Sequence, residues 1–220
     1  MRPPGTQKFS KLNWIKASDS KTTSDSSVLG QKTEWFRRCV KPTNLDLDAT
    51  RYLGTWWEQA SYLPSFGDKS YSCIKAQYSD FDGDSIAVNN SYVRPEGDDQ
   101  VFAWGTGTGE ITNPETPNSL LVTFDSTPAI GLWFIKLFGN NYHVMETDYE
   151  NYAIVMSCTN YGFFRSTFFW ILSRNPNFRN TASFDEVLNS AVDNYQIKSD
   201  SLHYVNTVDC DFDRIADENL

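Results

Sequence analysis

The sequence predicts an all-β fold, an eight-stranded antiparallel up-and-down β-barrel with one C-terminal α-helix packed outside it. Short runs of β-branched and aromatic residues alternate with turn clusters such as Asp82-Gly83-Asp84 and Asn113-Pro114. One later segment, residues 182–195, instead repeats apolar side chains at the spacing of an amphipathic helix. The interior of an eight-stranded barrel has room for one small ligand.

The predicted strands follow one another along the chain, and the predicted helix comes after the last of them. We expect the strands at residues 54–62, 73–81, 85–94, 101–111, 119–125, 141–147, 152–159 and 166–173. The apolar stripe of the helix consists of Phe184, Val187, Leu188, Ala191 and Tyr195. Ser183 is the expected N-cap, because Glu186 three residues later completes a capping box.

Composition and charge narrow the class of protein. The 220 residues suffice for one domain with a sizeable core, and an aromatic content of 15 % excludes intrinsic disorder across the whole chain. A pI near 4.7 disfavours a nucleic-acid-binding surface, and no apolar run approaches the ~18 residues of a membrane span.

Residues 1–38 carry eight basic and three acidic side chains, whereas residues 39–220 carry 11 basic and 25 acidic ones. We predict a flexible basic tail over 1–38, either a solvated leader or an arm for an acidic partner, and a barrel domain over 39–220.

The four cysteines are widely spaced and form no pair with the spacing of metal ligands. An even number of this kind predicts two disulfides and an oxidising compartment, with three pairings open. The first residues lack the apolar core of a secretory signal, which leaves open whether a signal has been removed. Asn89-Asn90-Ser91 is a glycosylation sequon, with Asn89 as the acceptor.

Strand alternation indicates which side chains face the barrel interior. In the second strand the charged Lys75 marks the outer face, so the even-numbered positions face inward. In the third strand Asn90, Tyr92 and Arg94 face inward, and Asn89 faces outward. An unpaired buried polar group costs about 1–3 kcal/mol, so an inward Asn and Arg predict a cavity that holds water or a ligand.

Three motifs resemble those of the lipocalin family. They are Gly54-Thr55-Trp56 at the start of the first strand, Thr147-Asp148-Tyr149 in the turn between the sixth and seventh strands, and Arg174 after the eighth. Residues 147–159 are most similar to the subgroup that includes apolipoprotein D and the insect bilin-binding proteins, and the resemblance covers residues 39–210. It implies the pairings Cys39–Cys158 and Cys73–Cys210. The motif residues have a structural role, with Arg174 stacked on Trp56 at the closed end of the barrel.

The resemblance also implies which residues line the pocket. They are Tyr78, Asn90, Tyr92, Arg94, Phe124, Tyr142, Phe168 and Trp170. The alternative for each aromatic residue is that it fills the barrel as core. Arg94, at the open end, either pairs with a ligand carboxylate or points into solvent at the rim.

The predicted function is that of a secreted carrier of a small hydrophobic ligand, namely a bilin, a fatty acid, a steroid, or a retinoid or carotenoid. No cofactor or metal is required, although a bound bilin or other chromophore would suit the pocket. The alternative is a lipid-modifying lipocalin enzyme of the isomerase or de-epoxidase type. The isomerase type would need a free nucleophilic cysteine in the cavity. Apolar loops at 128–138 and 161–164 flank the mouth and suit a lid, a membrane or lipoprotein contact, or self-association.

Overall fold

The computed structural model describes residues 32–62, 69–97, 99–127, 139, 141–208 and 210. Within these residues ten strands form one sheet. The strands are β1 (Lys32–Trp35), β2 (Gly54–Ser61), β3 (Ser72–Ser79), β4 (Ser85–Glu96), β5 (Asp99–Ile111), β6 (Ser119–Phe124), β7 (Tyr142–Thr147), β8 (Tyr152–Tyr161), β9 (Phe164–Ser173) and β10 (His203–Tyr204). The α-helices are α1 (Ala49–Tyr52) and α2 (Ala182–Tyr195).

Strands β2 to β9 form the predicted eight-stranded antiparallel barrel. Each pairs with the next along the chain, and β9 pairs back onto β2, with Trp57 opposite Ser173 and Ser61 opposite Trp170. The β4–β5 hairpin extends beyond the predicted strand ends, because its ladder continues from the Ser85–Glu110 pair to the Glu96–Asp99 pair. The predicted fold class is therefore confirmed.

Two hydrophobic cores lie on opposite sides of the barrel wall. The inner core surrounds Trp56 and includes Val155 and Leu172. The outer core lies between the wall and α2, where Phe169 and Ile171 of β9 meet Phe184, Val187, Ala191 and Tyr195 of the predicted helical stripe. The two faces of β9 are both apolar because each one packs against a different core.

Helix α2 spans the predicted residues, but its cap differs from the prediction. The N-cap is Thr181, in extended conformation, and the expected N-cap Ser183 lies inside the first turn. A 3-10 turn over Phe178–Asn180 precedes the helix, and the Thr181 hydroxyl donates to the Phe178 carbonyl at 2.7 Å instead of capping α2. The capping-box prediction is wrong because this preceding turn, which local spacing does not reveal, sets where the helix begins.

Strand β1 is an element that the sequence pattern did not predict, and it lies within the segment assigned to the basic tail. It pairs antiparallel with the open-end half of β9, with Glu34 opposite Arg165. Arg165 is 2 % exposed; it binds the Glu34 carboxylate through Nε and Nη2 and donates from Nη1 to the Arg38 carbonyl at 2.8 Å. The partner strand lies more than a hundred residues away, so a four-residue pattern cannot reveal the pairing. Residues 1–31 lie outside the described residues.

Two disulfides tie the chain ends to the barrel, and they confirm the pairing implied by the family resemblance. Cys39 is bonded to Cys158 and Cys73 to Cys210, with Cα–Cα distances of 5.7 and 5.5 Å. Cys73 lies at a bulge in β3 and packs against Val93 on the outside of the barrel. In the described part of the chain, no helix combines the length and the apolar character needed to cross a bilayer.

Candidate functional site

A stacked tryptophan and arginine close one end of the barrel. Trp56 is fully buried, and its indole Nε1 donates to the Tyr52 carbonyl at 2.8 Å. The Arg174 guanidinium lies 3.8 Å from the centroid of the Trp56 ring. It also donates to the carbonyls of Thr55, Tyr149 and Arg51 at 2.9–3.1 Å. These contacts fill the end of the barrel at which β2 begins and β9 ends.

The turn between β7 and β8 holds the same end together. The Thr147 hydroxyl donates to the Tyr152 carbonyl at 2.6 Å and accepts from the Tyr149 amide at 2.9 Å. The Asp148 carboxylate accepts from three successive backbone amides, those of residues 150–152, at 2.7–3.1 Å. Burial acts to raise the pKa of Asp148, but its hydrogen bonds, the strongest from Asn151, lower that pKa overall. These motif residues stabilise the turn and do not face the cavity.

A column of aromatic rings crosses the floor of the barrel from β3 to β7 and then rises along the β9 side. Above Trp56 it consists of Tyr52, Tyr78, Tyr142, Trp170 and Phe168, with neighbouring centroids 5.1–6.5 Å apart. Four of these five residues were predicted to line the pocket, and Tyr52 was missed. Tyr52 lies in the short helix α1, where strand alternation gives no signal. The Tyr78 and Tyr142 rings meet edge-on and the others are stacked, and such a column offers apolar contact to a ligand.

Three tyrosine hydroxyls form a hydrogen-bonded chain at the bottom of this column, which we term the tyrosine triad. The Tyr142 hydroxyl lies 2.9 Å from that of Tyr52 and 2.7 Å from that of Tyr78. Burial raises the pKa of Tyr78 to about 12 and also raises the pKa values of Tyr52 and Tyr142, so all three are neutral at physiological pH. Three hydroxyls carry three hydrogens, and two contacts use two of them. One donor of the triad is therefore free to bind another group.

The opposite wall combines an unpaired amide with glycines. Asn90 of β4 lies opposite Gly105 of β5, and the Asn90 Oδ1 atom is buried without a hydrogen-bond partner. A side chain built on Gly105 would meet no atom within 4 Å, whereas one on Gly107 would come within 2.2 Å of the Thr123 carbonyl. Gly107 thus lets β5 and β6 approach closely, and Gly105 widens the space in front of Asn90. A buried acceptor beside open space is typical of a binding pocket.

The remaining predicted pocket residues lie higher in the barrel. Phe124 packs on the inner core opposite Gly107. The Tyr92 ring stacks on Tyr71 at 4.8 Å near the open end. Arg94 forms an ion pair with Glu96 at 3.1 Å and is about one-third exposed. Arg94 thus has an anionic partner at the rim, and its contact with a ligand carboxylate stays a prediction.

His143 and the four cysteines do not face the barrel cavity. His143 faces outward, opposite Met156 of the outer core, with its Nδ1 atom 2.9 Å from the Ser119 hydroxyl. All four cysteines are in disulfides. Among the described residues, no three His, Cys, Asp or Glu side chains are placed to hold a metal ion.

One apolar surface is exposed at the open end of the barrel. It consists of four side chains, which we term the aromatic tip: Trp35, Phe36, Tyr161 and Phe163, with exposed fractions between 41 % and 87 %. The Phe36 amide donates to the Phe163 carbonyl at 2.7 Å, which joins the end of β1 to the β8–β9 turn. The predicted apolar loop at 161–164 is part of this tip, and the loop at 128–138 lies outside the described residues.

Comparison with known proteins agrees with this architecture. A family model described as a lipocalin-like domain matches residues 47–206. Apolipoprotein D of Rattus norvegicus is 36 % identical over 138 residues, which cover 61 % of this chain and 65 % of that protein, so the chain spans just under two-thirds of its length. The Lazarillo protein of Schistocerca americana is 33 % identical over 116 residues, covering 51 % of this chain and 48 % of that protein. Insecticyanin of Manduca sexta has a similar fold, with a TM-score of 0.61 at 24 % identity over 80 % of this chain and 89 % of that one.

Proposed function

Because the chain belongs to the lipocalin family, we propose that it is a secreted carrier that binds one small hydrophobic ligand inside its barrel. The observation that carries this proposal is the unpaired Asn90 Oδ1 atom beside the open space at Gly105. A packed core would leave neither an orphaned acceptor nor an unfilled wall. Affinity would come from burial of apolar ligand surface at about 25 cal/mol per Å², with the polar groups fixing orientation.

The candidate ligands are a bilin, a fatty acid, a steroid, and a retinoid or carotenoid. The aromatic column accommodates each of these by stacking or by apolar contact. The partly exposed ion pair with Glu96 weakens the case for Arg94 as the partner of a carboxylate head. No catalytic step is part of the proposal, because the isomerase alternative needs a free thiol and all four cysteines are in disulfides. A thiol titration of the unfolded protein that finds a free cysteine would restore that alternative.

Secretion is part of the proposal, and the disulfides and the glycosylation sequon support it. Two disulfides persist in an oxidising compartment and rarely in the cytosol. Asn89 is exposed on the outer face of β4, where a glycan would clear the barrel. Expression in a secretory host, with and without removal of N-linked glycans, would show a mass shift if Asn89 is modified. An unchanged mass would remove the glycan from the proposal but leave the carrier role intact.

Ligand binding can be tested by titration of the full chain with biliverdin, arachidonic acid, progesterone and retinol, followed by tryptophan fluorescence. We expect Trp170→Ala to weaken binding of the preferred probe at least about tenfold, since the ring lies between Tyr142 and Phe168 in the column. Trp104→Ala is the matched control, because Trp104 is 46 % exposed and adjoins the inward-facing Gly105 in β5, so it points out of the barrel. Equal affinities for both variants and the unmodified chain would contradict the proposed pocket.

The aromatic tip supports a second, independent role in contact with a lipid surface. Exposed Trp, Tyr and Phe side chains partition into the interfacial region of bilayers. Arg37, Arg38 and Lys41 are exposed along the segment that follows the tip residue Phe36, which favours an anionic surface. We expect binding to vesicles that contain phosphatidylserine, and weaker binding after Phe163→Ser than after the control Trp104→Ser. A concentration-dependent dimer without vesicle binding would instead identify the tip as a self-association surface.

A further inference from the structure

A carboxyl group faces the inside of the barrel. In β2, Glu58 lies opposite Leu172, and Leu172 packs in the inner core with Trp56. Residues directly opposite each other on antiparallel strands share a face of the sheet, so Glu58 points inward, two positions above the floor tryptophan. Glu58 is 8 % exposed. Charged groups of this kind are rarely buried unless they are paired.

A bulge in β2 then brings a hydroxyl to the same face. The register shifts between Glu58 and Ala60, so Gln59 and Ala60 both lie on the outer side, where Gln59 contacts the Pro176 carbonyl. The next residue, Ser61, is fully buried and faces inward opposite Trp170. Glu58 and Ser61 therefore lie on the inner wall together, although they are three positions apart in a strand.

Cations do not compensate Glu58 in the described part of the chain. Lys75, the charged residue of neighbouring β3, lies on the outer face over the Trp57 ring. Arg165 of β9 is bound to Glu34 outside the barrel. His203 of β10 lies opposite Ser61, and burial together with nearby cations lowers its pKa, which favours the neutral imidazole. Deeper in the barrel, the described titratable groups are the neutral hydroxyls of the tyrosine triad, and Tyr92 and Arg94 lie toward the open end.

Burial raises the pKa of Glu58 to about 7, and the nearby Ser61 hydroxyl, which has no hydrogen-bond partner of its own, offsets only part of this effect. The carboxyl is thus ionised in about half of the molecules at neutral pH. An ionised carboxylate accepts hydrogen bonds and donates none. The group that would satisfy it is an N–H or O–H donor, whereas a ligand carboxylate at this depth would be repelled.

We propose that Glu58, with Ser61 beside it, is an internal polar site of the barrel that binds an N–H or O–H donor on the buried end of the ligand. The inference rests on the proposed carrier function and deepens it. It favours ligands such as a tetrapyrrole or a sterol, whose donors can enter the barrel, over a fatty acid that inserts its carboxylate first. The donor group selects the ligand and the aromatic column supplies the apolar contact.

The test uses the full chain and probes that differ in one group. Retinol and retinoic acid share a polyene but end in a hydroxyl and a carboxylate, and biliverdin dimethyl ester supplies N–H donors without carboxylates. At pH 8 we expect the preferred donor probe to bind at least about tenfold tighter than retinoic acid, and Glu58→Gln to reduce this ratio to less than about threefold. If the affinity of retinol depends on Glu58, the bound group is an O–H donor. If the affinity of the biliverdin ester depends on Glu58, the bound group is an N–H donor.

The pH dependence of the affinity for the donor probe is the second measurement. Donor affinity should rise several-fold from pH 6 to pH 8 as Glu58 ionises, and it should be flat in Glu58→Gln. Glu110→Gln is the matched control, because Glu110 is exposed in β5 and should keep the unmodified profile. If Glu58→Gln does not fold, calorimetry of the unmodified chain still decides the question. Binding of a donor probe should release about half a proton at pH 7 and almost none at pH 9.

Failure of the carrier function and failure of the Glu58 site give different results. If none of the hydrophobic probes binds at any pH, the proposed carrier function fails and the Glu58 site fails with it. If probes bind with an affinity that depends on Trp170 but is the same with and without Glu58, and no proton is released, the carrier function stands and the internal polar site is refuted.

Discussion

Replacement of Glu58 by glutamine should make the protein more stable at neutral and alkaline pH. The two side chains have nearly the same shape, but only the carboxyl group can become charged inside the barrel. Burial raises the pKa of Glu58 from 4.5 to about 7, so the folded state holds the proton more tightly than the unfolded chain does. Stability from this group is therefore greatest below pH 4.5, is lost as the pH rises toward 7, and is constant above that.

The magnitude follows from the pKa difference between the two states. A pKa unit corresponds to about 1.4 kcal/mol, so a difference of about 2.5 units corresponds to about 3 kcal/mol at pH 8. Glu58→Gln avoids this cost and should raise the free energy of unfolding at pH 8 by about that amount. For a domain of this size that is a Tm increase of about 6–12 °C. Near pH 4.5 the two proteins should be equally stable.

Urea denaturation of both proteins with intact disulfides, at several values between pH 4.5 and pH 9, measures this difference. The comparison cancels every other titrating group, including Asp148, because those groups are common to both proteins. Glu110→Gln should follow the unmodified protein. Parallel stability curves for Glu58→Gln and the unmodified chain would refute the assignment of a buried carboxyl to the barrel interior. A bound donor ligand should narrow the gap at pH 8, since it stabilises the ionised carboxylate.

Three further predictions concern the wall, the edge and the floor of the barrel. Gly107→Ala should lower the free energy of unfolding by more than about 2 kcal/mol in urea denaturation, because the new Cβ would lie 2.2 Å from a β6 carbonyl. Gly105→Ala should lower it by less than about 1 kcal/mol, because a Cβ there meets no atom within 4 Å. Equal costs would contradict the open wall. Glu34→Ala should destabilise the protein by about 3–5 kcal/mol, because it leaves the Arg165 guanidinium buried and unpaired. Hydrogen exchange should show loss of protection in β1, and unchanged protection would refute its anchoring role. Arg174→Ala should cost about 2–4 kcal/mol through loss of the stacked ring and three carbonyl contacts, and a thermal midpoint within 2 °C of the unmodified value would argue against this.

Strand alternation predicts the inward-facing residues of regular strands but fails at a bulge. Tyr78 and Asn90 lie in regular strands, where period-two alternation correctly assigns them to the inner face. Glu58 follows Trp56 at the spacing of an inward position in β2, but it is not among the predicted pocket residues. Ser61 could not be assigned, since the bulge after Glu58 shifts the alternation by one residue and nothing in the local sequence marks it.

The sequence by itself determined the fold class, the strand order, the helix bounds and, through the family motifs, the disulfide pairing. These features depend on periodicity and on motif residues, both of which are local. The tertiary structure alone decided that β1 joins the barrel edge through Glu34 and Arg165, and that Glu58 is a buried carboxyl on the inner face of the wall. Both depend on contacts between residues more than a hundred positions apart. A side chain's charge state and partners depend on what surrounds it in space, and the order of residues along the chain does not contain that information.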